Sequence, residues 1–398
     1  MKPILKGRAV VGQSGGCTAV INQSLAGVIE GVRGRREITA LWGAAYGVNG
    51  ILGDDYINLK SQSASVLKAL GHTPSSALGS SRHKLPAGGE EEVLARLRRH
   101  DVRYLFMIGG NDTADTVLRI ARAAEKENYE LRVVHIPKTI DNDLKETDHT
   151  PGYGSVARFA AVTTQEAGLD TRAMKDVDPV KMIELMGRNS GWIVAASALL
   201  KKTQEDPPHL LLLPEIPFEE GRFLDRVEAV VRKTGHCVVV LSETIRDAQG
   251  NRIGALREGI TQDPFGHVYV EGAARYLCRR VEERLKVRAR FDKPGTIQRM
   301  SMPYVSTVDQ REAFLAGVHA VRWALKGVTR VMVGFRRAPG KLYRIDYVPV
   351  PLEKIPNRER YLPENFLTSD SLMTTEAFKR YALPLLGPNL PSFPSLKR

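Results

Sequence analysis

The sequence predicts a doubly wound α/β protein with parallel-rich sheets. Short, mostly apolar runs recur along the chain, and most are followed by glycine, proline or polar residues and then by a helical pattern. Apolar runs of this length are typical of strands that are buried on both faces of a parallel sheet. Their alternation with helices indicates a doubly wound arrangement.

The elements follow one another in a regular order. The candidate strands are residues 9–12, 104–108, 133–136, 182–185, 210–213 and 238–241. The helical patterns include residues 114–126, 221–234, 272–286 and 311–326. Functional groups of doubly wound folds gather at the carboxyl ends of the strands, so we expect the site in the turns that follow them. Four prolines between residues 384 and 398 predict an extended arm or a partly disordered tail.

Length and composition bound the class of protein. A chain of 398 residues favours two or three domains, and its 42% hydrophobic and 26% charged content is ordinary for a globular protein. Cys17, Cys237 and Cys278 show neither metal nor redox spacing, which indicates a reducing compartment. No apolar run reaches the roughly 18 residues that span a bilayer. We therefore expect a soluble cytoplasmic protein without a signal segment or a membrane partner.

The net charge of +13 has two interpretations. Clustered Lys and Arg side chains could neutralise the phosphates of a nucleic acid. Alternatively, an enzyme could combine small anionic substrates with a solvated basic surface. The basic residues are spread along the chain, and no aromatic-basic recognition motif accompanies them. We therefore expect small anionic substrates and no nucleic acid.

Two glycine turns follow predicted strands, at residues 11–18 (VGQSGGCT) and 107–113 (MIGGNDT). Glycines let the backbone approach a phosphate, and the free N–H groups at the start of the next helix can bind an anion. Each turn is explained as well by a tight strand-to-helix connection, in which Asn111 and Thr113 merely cap a helix. The first turn is neither a Walker loop nor a complete dinucleotide fingerprint.

A third predicted strand ends in residues 137–143 (PKTIDND), which crowd an ammonium, a hydroxyl, an amide and two carboxylates together. Phosphoryl transfer needs a base near the acceptor hydroxyl, a cation on the transferred group and usually Mg²⁺. This segment could supply the base, the cation and a metal ligand. The alternative is a solvated turn with no chemistry.

Two later segments carry arginines. Arg188 lies in residues 186–192 (MGRNSGW), where an arginine directly after a glycine at a strand end is well placed to bind a phosphate or a sugar. Residues 295–299 (GTIQR) follow Arg288 and Arg290, and a guanidinium cluster suits bidentate recognition of a phosphate monoester. Taken alone, residues 186–192 could have a purely structural role. Residues 295–299 and the arginines before them are more simply explained as a basic surface patch.

Together these segments make the sequence similar to the phosphofructokinase family. The resemblance spans roughly residues 10 to 320, and its TIDND and MGR segments are highly specific. The matching blocks, in order, are residues 14–16, 78–82, 109–113, 137–143, 186–188, 214–215, 242–243 and 298–299.

The resemblance implies a role for each group. Asp141 is the general base that takes the proton from the 1-hydroxyl of fructose 6-phosphate, and Lys138, Asp112 and Arg188 complete the catalytic set. Asn111 and Asp141 stand at the positions that bind Mg²⁺. The substrate-binding positions are Thr139, Asp143, Met186, Gly187, Glu243, Arg290, Thr296, Gln298 and Arg299. The pyrophosphate-binding positions are Gly15, Gly16, Arg82, Gly110 and Thr113. The arginine at 290 fits one that reaches the sugar phosphate of a neighbouring subunit, which implies a homodimer or a homotetramer.

Two positions indicate the phosphoryl donor. ATP-using relatives have glycine where this chain has Asp112 and commonly glycine where it has Lys138, whereas pyrophosphate-using relatives resemble this chain. A carboxylate at Asp112 would crowd and repel the α-phosphate region of a nucleotide. An ammonium at Lys138 can lie against pyrophosphate and stabilise charge on the transferred group. We therefore expect pyrophosphate as the donor.

The sequence also departs from the family pattern. Asn111 replaces a frequent acidic residue, and a neutral amide oxygen is a weaker Mg²⁺ ligand than a carboxylate. Metal binding there is either water-mediated or depends on Asp141, Asp143 and pyrophosphate itself. Thr296 replaces a frequent His or Tyr, and residues 300–302 replace a usual Gly-Gly. These changes leave open a seven-carbon sugar phosphate as an additional substrate.

The expected architecture has two Rossmann-like α/β domains with the active site in the cleft between them. Residues 1–153 and 300–345 form the donor domain, residues 154–299 form the fructose 6-phosphate domain, and residues 346–398 form a C-terminal extension. The expected reaction is reversible phosphate transfer from pyrophosphate to fructose 6-phosphate, as in glycolysis. The alternatives are an ATP-dependent 6-phosphofructokinase and a catalytically silent sugar-phosphate-binding relative.

Overall fold

The computed structural model describes residues 5–254, 272–340 and 342–394. The chain divides into two compact units, of which the first comprises Met1–Ser155 with Arg299–Arg360 and the second comprises Val156–Gln298 with Tyr361–Arg398. The strands are β1 Gly7–Gln13, β2 Ile38–Ala44, β3 Tyr56–Asn58, β4 Val102–Gly109, β5 Arg132–Pro137, β6 Val180–Leu185, β7 Leu210–Leu212, β8 Cys237–Ser242, β9 Ala289–Asp292, β10 Val331–Arg337 and β11 Ile345–Pro351. The helices are α1 Ile21–Val32, α2 Val48–Leu52, α3 Ala64–Leu70, α4 Gly89–Arg99, α5 Asn111–Lys126, α6 Tyr153–Ala173, α7 Trp192–Ala196, α8 Glu220–Thr234, α9 Ala273–Leu285, α10 Ile297–Met300, α11 Thr307–Leu325 and α12 Glu376–Ala382.

The first unit contains a seven-stranded sheet in the order β11-β10-β5-β4-β1-β2-β3. Neighbouring strands run parallel except at the two edges, where β11 and β3 are antiparallel to their partners. In the centre, Gln13 of β1 is in register with Ile108 of β4, and Gly109 of β4 with Pro137 of β5. The turns after these three strands therefore meet at one edge of the sheet, as expected for parallel strands.

The second unit contains a four-stranded parallel sheet in the order β7-β8-β6-β9. Leu185 at the end of β6 is in register with Ser242 at the end of β8, and Ile183 is in register with Asp292 at the end of β9. Residues that follow these three strands consequently share one edge of this sheet. In the described parts of the chain, no helix has the length and apolar character needed to cross a lipid bilayer.

The predicted fold class is confirmed, and every predicted strand and helix lies within or overlaps an observed one. The strands that the sequence pattern did not predict include β9 and β11. β9 is short and mostly exposed, so it lacks an apolar run. β11 has mostly exposed and half-buried residues and contains two prolines, which suits an edge strand but resembles a loop in the sequence.

The segment expected as a C-terminal extension is divided between the units. Residues 346–360 belong to the first unit, where most of β11 lies, and residues 361–398 belong to the second. The tail does not leave the second unit as an extended arm over its described residues. The guanidinium of Arg158 donates to the carbonyl oxygens of Leu386, Pro388 and Asn389 at 2.7–2.9 Å. Residues 395–398 of the predicted tail lie outside the described residues.

A buried charged network supports the segment that follows β5. The His149 ring lies 2.8 Å from an oxygen of Asp148 and 2.7 Å from an oxygen of Glu312 on α11. Arg337 of β10 binds Asp148, and Tyr343 donates to Glu312. Although burial alone would lower it, the pKa of His149 is raised to about 9, mainly by the charge of Glu312 and the hydrogen bond with Asp148.

Replacement of His149 by leucine is expected to lower the free energy of unfolding by about 3–5 kcal/mol, because it leaves the buried carboxylate of Glu312 without its cation. The pKa of His149 is higher in the folded chain than its ordinary value of 6.5. The stabilisation is therefore complete below pH 6.5 and is lost as the pH rises through about 9. Urea unfolding between pH 6 and pH 10 measures both effects, with exposed His72→Leu as the control. Equal pH dependence in wild type and His149→Leu would contradict this assignment.

Candidate active site

The first glycine turn is fixed beside residues 80–82. Gly15 has a φ of +78°, a left-handed conformation that glycine adopts without strain. Its N–H donates to the Ser81 carbonyl at 3.0 Å, and its carbonyl accepts from the Ser80 hydroxyl at 2.6 Å. These bonds hold the exposed Arg82 next to the turn, as expected if both contact the same anion.

Lys138 is the centre of this arrangement. Its side chain is buried, and its ammonium donates to the Gly16 carbonyl at 2.8 Å. Its backbone N–H donates to Gly109 at 2.9 Å, which joins the end of β5 to the second glycine turn. A Cβ added to Gly16 would lie 2.9 Å from a guanidinium nitrogen of Arg299. The structure thus brings both glycine turns, Lys138 and Arg299 into one cluster, hereafter the Lys138 cluster.

Burial lowers the pKa of Lys138 to about 8. Cys17, Asp141 and Asp143 lie close enough to raise it in part, whereas the charge of Arg299 lowers it further. Desolvation dominates because the ammonium has left water for the interior of the first unit. A lysine in this range holds its proton at neutral pH and loses it under mildly alkaline conditions.

We therefore expect kcat/KM for pyrophosphate, the donor that the sequence predicts, to fall as the pH rises through about 8. The ammonium is charged below this pH and neutral above it, so the slope approaches about tenfold per pH unit. Lys138→Arg is the matched variant, because guanidinium stays charged over this range. Profiles from pH 6.5 to 10, each normalised to its own maximum, should differ. Superimposable profiles would show that Lys138 does not control the fall.

The TIDND segment is shaped by residues from far along the chain. Asn142 is buried with a φ of +55°, and its side-chain oxygen accepts from the Thr150 N–H at 3.1 Å. The Thr150 hydroxyl donates to the Thr139 carbonyl at 2.8 Å, and the Thr139 hydroxyl accepts from the Asp141 N–H at 3.1 Å. The Asp143 carbonyl accepts from the Arg360 N–H at 2.7 Å. These bonds set the backbone that carries the two acidic side chains.

Asp309 on α11 anchors the residues that join the TIDND segment to α6. Its buried carboxylate accepts from the N–H of Gly152 at 2.9 Å and from both the N–H and the hydroxyl of Ser155, at 2.9 and 2.6 Å. Burial raises the pKa of Asp309 to about 6, although these hydrogen bonds oppose the rise. The sequence reasoning missed this residue, because an aspartate in the first turn of a helix is also an ordinary capping residue.

Asn111, Asp112 and Thr113 form the first turn of α5, directly after the N-cap Gly110. The Asn111 amide nitrogen donates to the Arg358 carbonyl at 3.0 Å, which fixes the orientation of the amide. Its side-chain oxygen is buried and has no hydrogen-bond partner among the described residues. Asp112 is exposed and lies 3.3 Å from the ammonium of Lys84. The turn therefore presents an unused oxygen and a solvated carboxylate.

In the second unit, the MGR segment follows β6 in a strained conformation. Gly187 has a φ of +145° and Arg188 a φ of +47°, a region that residues with a side chain rarely adopt. The Gly187 carbonyl accepts from the Ser190 N–H at 2.9 Å, and the Arg188 carbonyl accepts from the Thr244 hydroxyl. Backbone strain held in place by such bonds is frequent at functional sites.

Gln298 has a supporting role in this arrangement. It is buried, and its side chain accepts from the Met186 N–H at 3.0 Å and donates to the Gly295 carbonyl at 2.8 Å. The amide thus joins the MGR segment to the turn before α10. Contact of this amide with the sugar substrate stays a prediction.

A cavity of about 510 Å³ lies at the carboxyl edge of the second sheet. The predicted residues Arg188 and Glu243 line it, together with Thr244 and with Glu184, Arg252 and Lys293. Its volume is in the range of small-molecule sites.

Of the predicted substrate-binding residues only Glu243 belongs to this cavity lining, and Arg290 and Thr296 are among those outside it. Arg290 lies 2.8 Å from the carboxylate of Asp178, which Arg288 also approaches, and Thr296 is exposed. The reach of Arg290 into a neighbouring subunit stays a prediction. Arg299 lies in the Lys138 cluster of the first unit, although the resemblance implied a role in sugar binding.

Comparison with known proteins identifies the family. The phosphofructokinase family model matches residues 8–324. The chain is 39% identical to the pyrophosphate–fructose 6-phosphate 1-phosphotransferase of Xanthomonas campestris pv. campestris, over 98% of this chain and 96% of the relative. It is 40% identical to the protein of the same name from Rhodospirillum rubrum, again over 98% and 96%. The chain therefore belongs to the phosphofructokinase family.

A solved structure agrees with this assignment. The structure of pyrophosphate-dependent phosphofructokinase from Nitrosospira multiformis superposes with a TM-score of 0.89 at 34% sequence identity, covering 98% of this chain and 94% of that one. The likeness extends over nearly the whole of both chains, including the region beyond residue 324 that the family model does not match.

Proposed function

We propose that this protein is a pyrophosphate-dependent phosphofructokinase. It transfers a phosphoryl group from pyrophosphate to the 1-hydroxyl of fructose 6-phosphate and forms fructose 1,6-bisphosphate and phosphate. Near full-length likeness to relatives named for this reaction supports the proposal. The observation within the chain that carries it is the buried Lys138, whose ammonium binds the first glycine turn, whose backbone N–H binds the second, and which lies close to Asp141.

The Lys138 cluster binds the donor in this proposal. Backbone N–H groups of the glycine turns and the cations of Lys138, Arg299 and the nearby Arg82 offer positive charge to pyrophosphate. Lys138 stabilises the charge that develops on the phosphoryl group during transfer. We assign donor binding to the first unit and sugar binding to the cavity of the second. The transfer reaction requires that the bound donor and the bound sugar share one phosphoryl group.

Asp141 is the proposed general base. Its carboxylate accepts the proton of the 1-hydroxyl as that oxygen attacks the terminal phosphorus of pyrophosphate. The new bond joins the sugar oxygen to phosphorus, the bridging P–O bond breaks, and phosphate leaves with the bond's electron pair. One anhydride is exchanged for one ester, so we expect the reaction to run in both directions.

Asp112 supports pyrophosphate against ATP as the donor. It lies in the first turn of α5, where the helix N-terminus would otherwise attract a further phosphate. Its carboxylate is exposed and negatively charged, so it repels a phosphate chain that continues beyond two groups. A donor that ends at the second phosphate avoids this repulsion.

The residues present fit a Mg²⁺ ion that arrives with pyrophosphate. The described residues contain no cluster of three or more His, Cys, Asp or Glu side chains that could hold a metal. The unpartnered, buried oxygen of Asn111 nevertheless suits one ligand position, and Asp141 would supply a carboxylate. Mg²⁺ commonly uses few protein ligands together with substrate phosphates, and it would neutralise charge on pyrophosphate.

A comparison of donors tests the proposal. Purified protein with fructose 6-phosphate and Mg²⁺ should give kcat/KM for pyrophosphate at least about 100-fold above that for ATP, because repulsion at Asp112 acts on ATP alone. The opposite ratio would establish the ATP-dependent alternative. Absence of transfer with either donor, despite calorimetric binding of fructose 6-phosphate, would establish the catalytically silent alternative.

A further inference from the structure

The cavity of the second unit contains a cation that the family resemblance does not assign. Lys293 lines it beside Arg188, Glu243 and Arg252. Glu184, which also lines the cavity, is only 2% exposed. A buried carboxylate at the end of an apolar strand is costly to keep, so its partner needs an explanation.

Strand register brings the two charges together. Ile183 of β6 pairs with Asp292, the last residue of β9, so Lys293 follows β9 directly beside Glu184, which is still within β6. The Lys293 ammonium lies 2.6 Å from one oxygen of Glu184. The other oxygen accepts from the Ala274 N–H at 3.0 Å, in the first turn of α9. Glu184 is thus fixed at a helix N-terminus and holds Lys293 at the cavity.

The geometry leaves Lys293 capable of binding a ligand. The side chain of Lys293 is 51% exposed although its partner is buried. An ammonium has three N–H donors, and the approach to a single carboxylate oxygen leaves others for the cavity. A lysine that merely neutralised a buried carboxylate would gain nothing from facing a cavity that also contains Arg188 and Arg252.

Few of the residues predicted to bind the sugar phosphate supply a cation to this cavity. Thr296 carries no charge and does not line the cavity. Arg290, which is likewise paired with a buried carboxylate, does not line the cavity either. The cations that line the cavity from the described part of this chain are therefore Arg188, Arg252 and Lys293.

We propose that Lys293 binds the anionic phosphate of the sugar substrate and that Glu184 is the positioning residue that directs it. The inference rests on the proposed function, because it names a residue that recognises the same substrate. It also predicts that the Glu184–Lys293 pair affects binding of the sugar substrate and has no direct effect on binding of the phosphoryl donor.

Four variants test the pair: Lys293→Met, Lys293→Arg, Glu184→Gln and the double variant Glu184→Gln/Lys293→Met. Lys293→Met should raise KM for fructose 6-phosphate about 10- to 100-fold, the usual effect of losing a charged hydrogen bond. It should leave kcat and KM for pyrophosphate within about threefold, because chemistry and donor binding use other groups. Lys293→Arg should restore most of the affinity. Glu184→Gln keeps the cation but loosens it, so its KM should rise less.

The double variant separates binding from structure. It removes the buried carboxylate together with its partner, so the folding defect of an unpaired Glu184 disappears. A substrate-binding Lys293 predicts that KM stays raised, whereas a merely structural Lys293 predicts that KM returns to the wild-type value. The latter result would overturn the proposal.

Controls distinguish this inference from the proposed function. Lys233→Met removes one exposed positive charge from α8 of the same unit and should leave KM unchanged. Calorimetric titration of fructose 6-phosphate without pyrophosphate measures affinity independently of activity. If the wild type transfers phosphate and the double variant binds fructose 6-phosphate as tightly as the wild type, the proposal for Lys293 fails while the proposed function stands. Lack of wild-type transfer refutes the proposed function, and a weaker fructose 6-phosphate affinity in the variants would still support Lys293.

Discussion

Replacing Asp141 with asparagine is expected to lower kcat about 10²- to 10⁴-fold, the usual contribution of a general base. Asparagine keeps the shape of the side chain but accepts no proton. The backbone conformation of the TIDND segment should persist, because its hydrogen bonds do not involve the carboxylate. The Asp141 N–H donates to the Thr139 hydroxyl, and the Thr150 hydroxyl donates to the Thr139 carbonyl. Initial rates at saturating pyrophosphate and fructose 6-phosphate measure the effect.

Two observations separate loss of chemistry from loss of folding. The affinity of Asp141→Asn for fructose 6-phosphate, measured by calorimetry, should stay within about threefold of wild type, because the base acts on the transition state. Asp346→Asn, an exposed substitution in β11, is the matched control and should be fully active. A kcat above a tenth of the wild-type value in Asp141→Asn would assign the base elsewhere.

The second large effect concerns the donor. Lys138→Met should lower kcat/KM for pyrophosphate about 10²- to 10³-fold, as expected for loss of one preorganised electrostatic group. Lys138 is buried, so methionine removes a desolvated charge while filling similar space. The variant should therefore fold as stably as wild type, and its thermal midpoint checks this. Unchanged use of pyrophosphate by a folded variant would contradict the role of Lys138.

The companion variant concerns Asp112, which selects against nucleotides. Asp112→Gly should raise kcat/KM for ATP at least about tenfold, because it removes both charge and volume. Asp112→Asn is the matched variant, since it removes the charge alone. The exposed ion pair with Lys84 contributes little stability, so neither variant should unfold. If neither accepts ATP better than wild type, Asp112 does not select the donor.

The sequence predicts well those parts of the site that lie at strand ends. The sequence predicts functional groups at the carboxyl ends of the strands, and the parallel order of β1, β4 and β5 brings the turns with Gly16, Gly109 and Lys138 to one edge. Their hydrogen bonds confirm this proximity. Short apolar runs and glycine turns are local signals, so they can be recognised in the sequence without knowledge of tertiary contacts.

Other parts depend on contacts that no local pattern reveals. Asp309 and Glu312 support the segment after β5 from more than 150 positions away. The sequence predicts an amide among the site side chains at Asn142, but the oxygen of this amide accepts from the backbone N–H of Thr150. For Lys293, a weak signal existed in Glu184, a carboxylate near the end of an otherwise mostly apolar strand. Only the register of β6 with β9 identifies its partner.

Phosphorus NMR of one reaction mixture tests the central claim most directly. Purified protein, pyrophosphate, fructose 6-phosphate and Mg²⁺ are combined without nucleotide, and the phosphorus signals are followed to equilibrium. We expect the pyrophosphate signal to decline while fructose 1,6-bisphosphate and phosphate appear in equal amounts, with all four species present at the end. Persistence of pyrophosphate and fructose 6-phosphate, together with formation of the bisphosphate when ATP is supplied instead, would contradict the account.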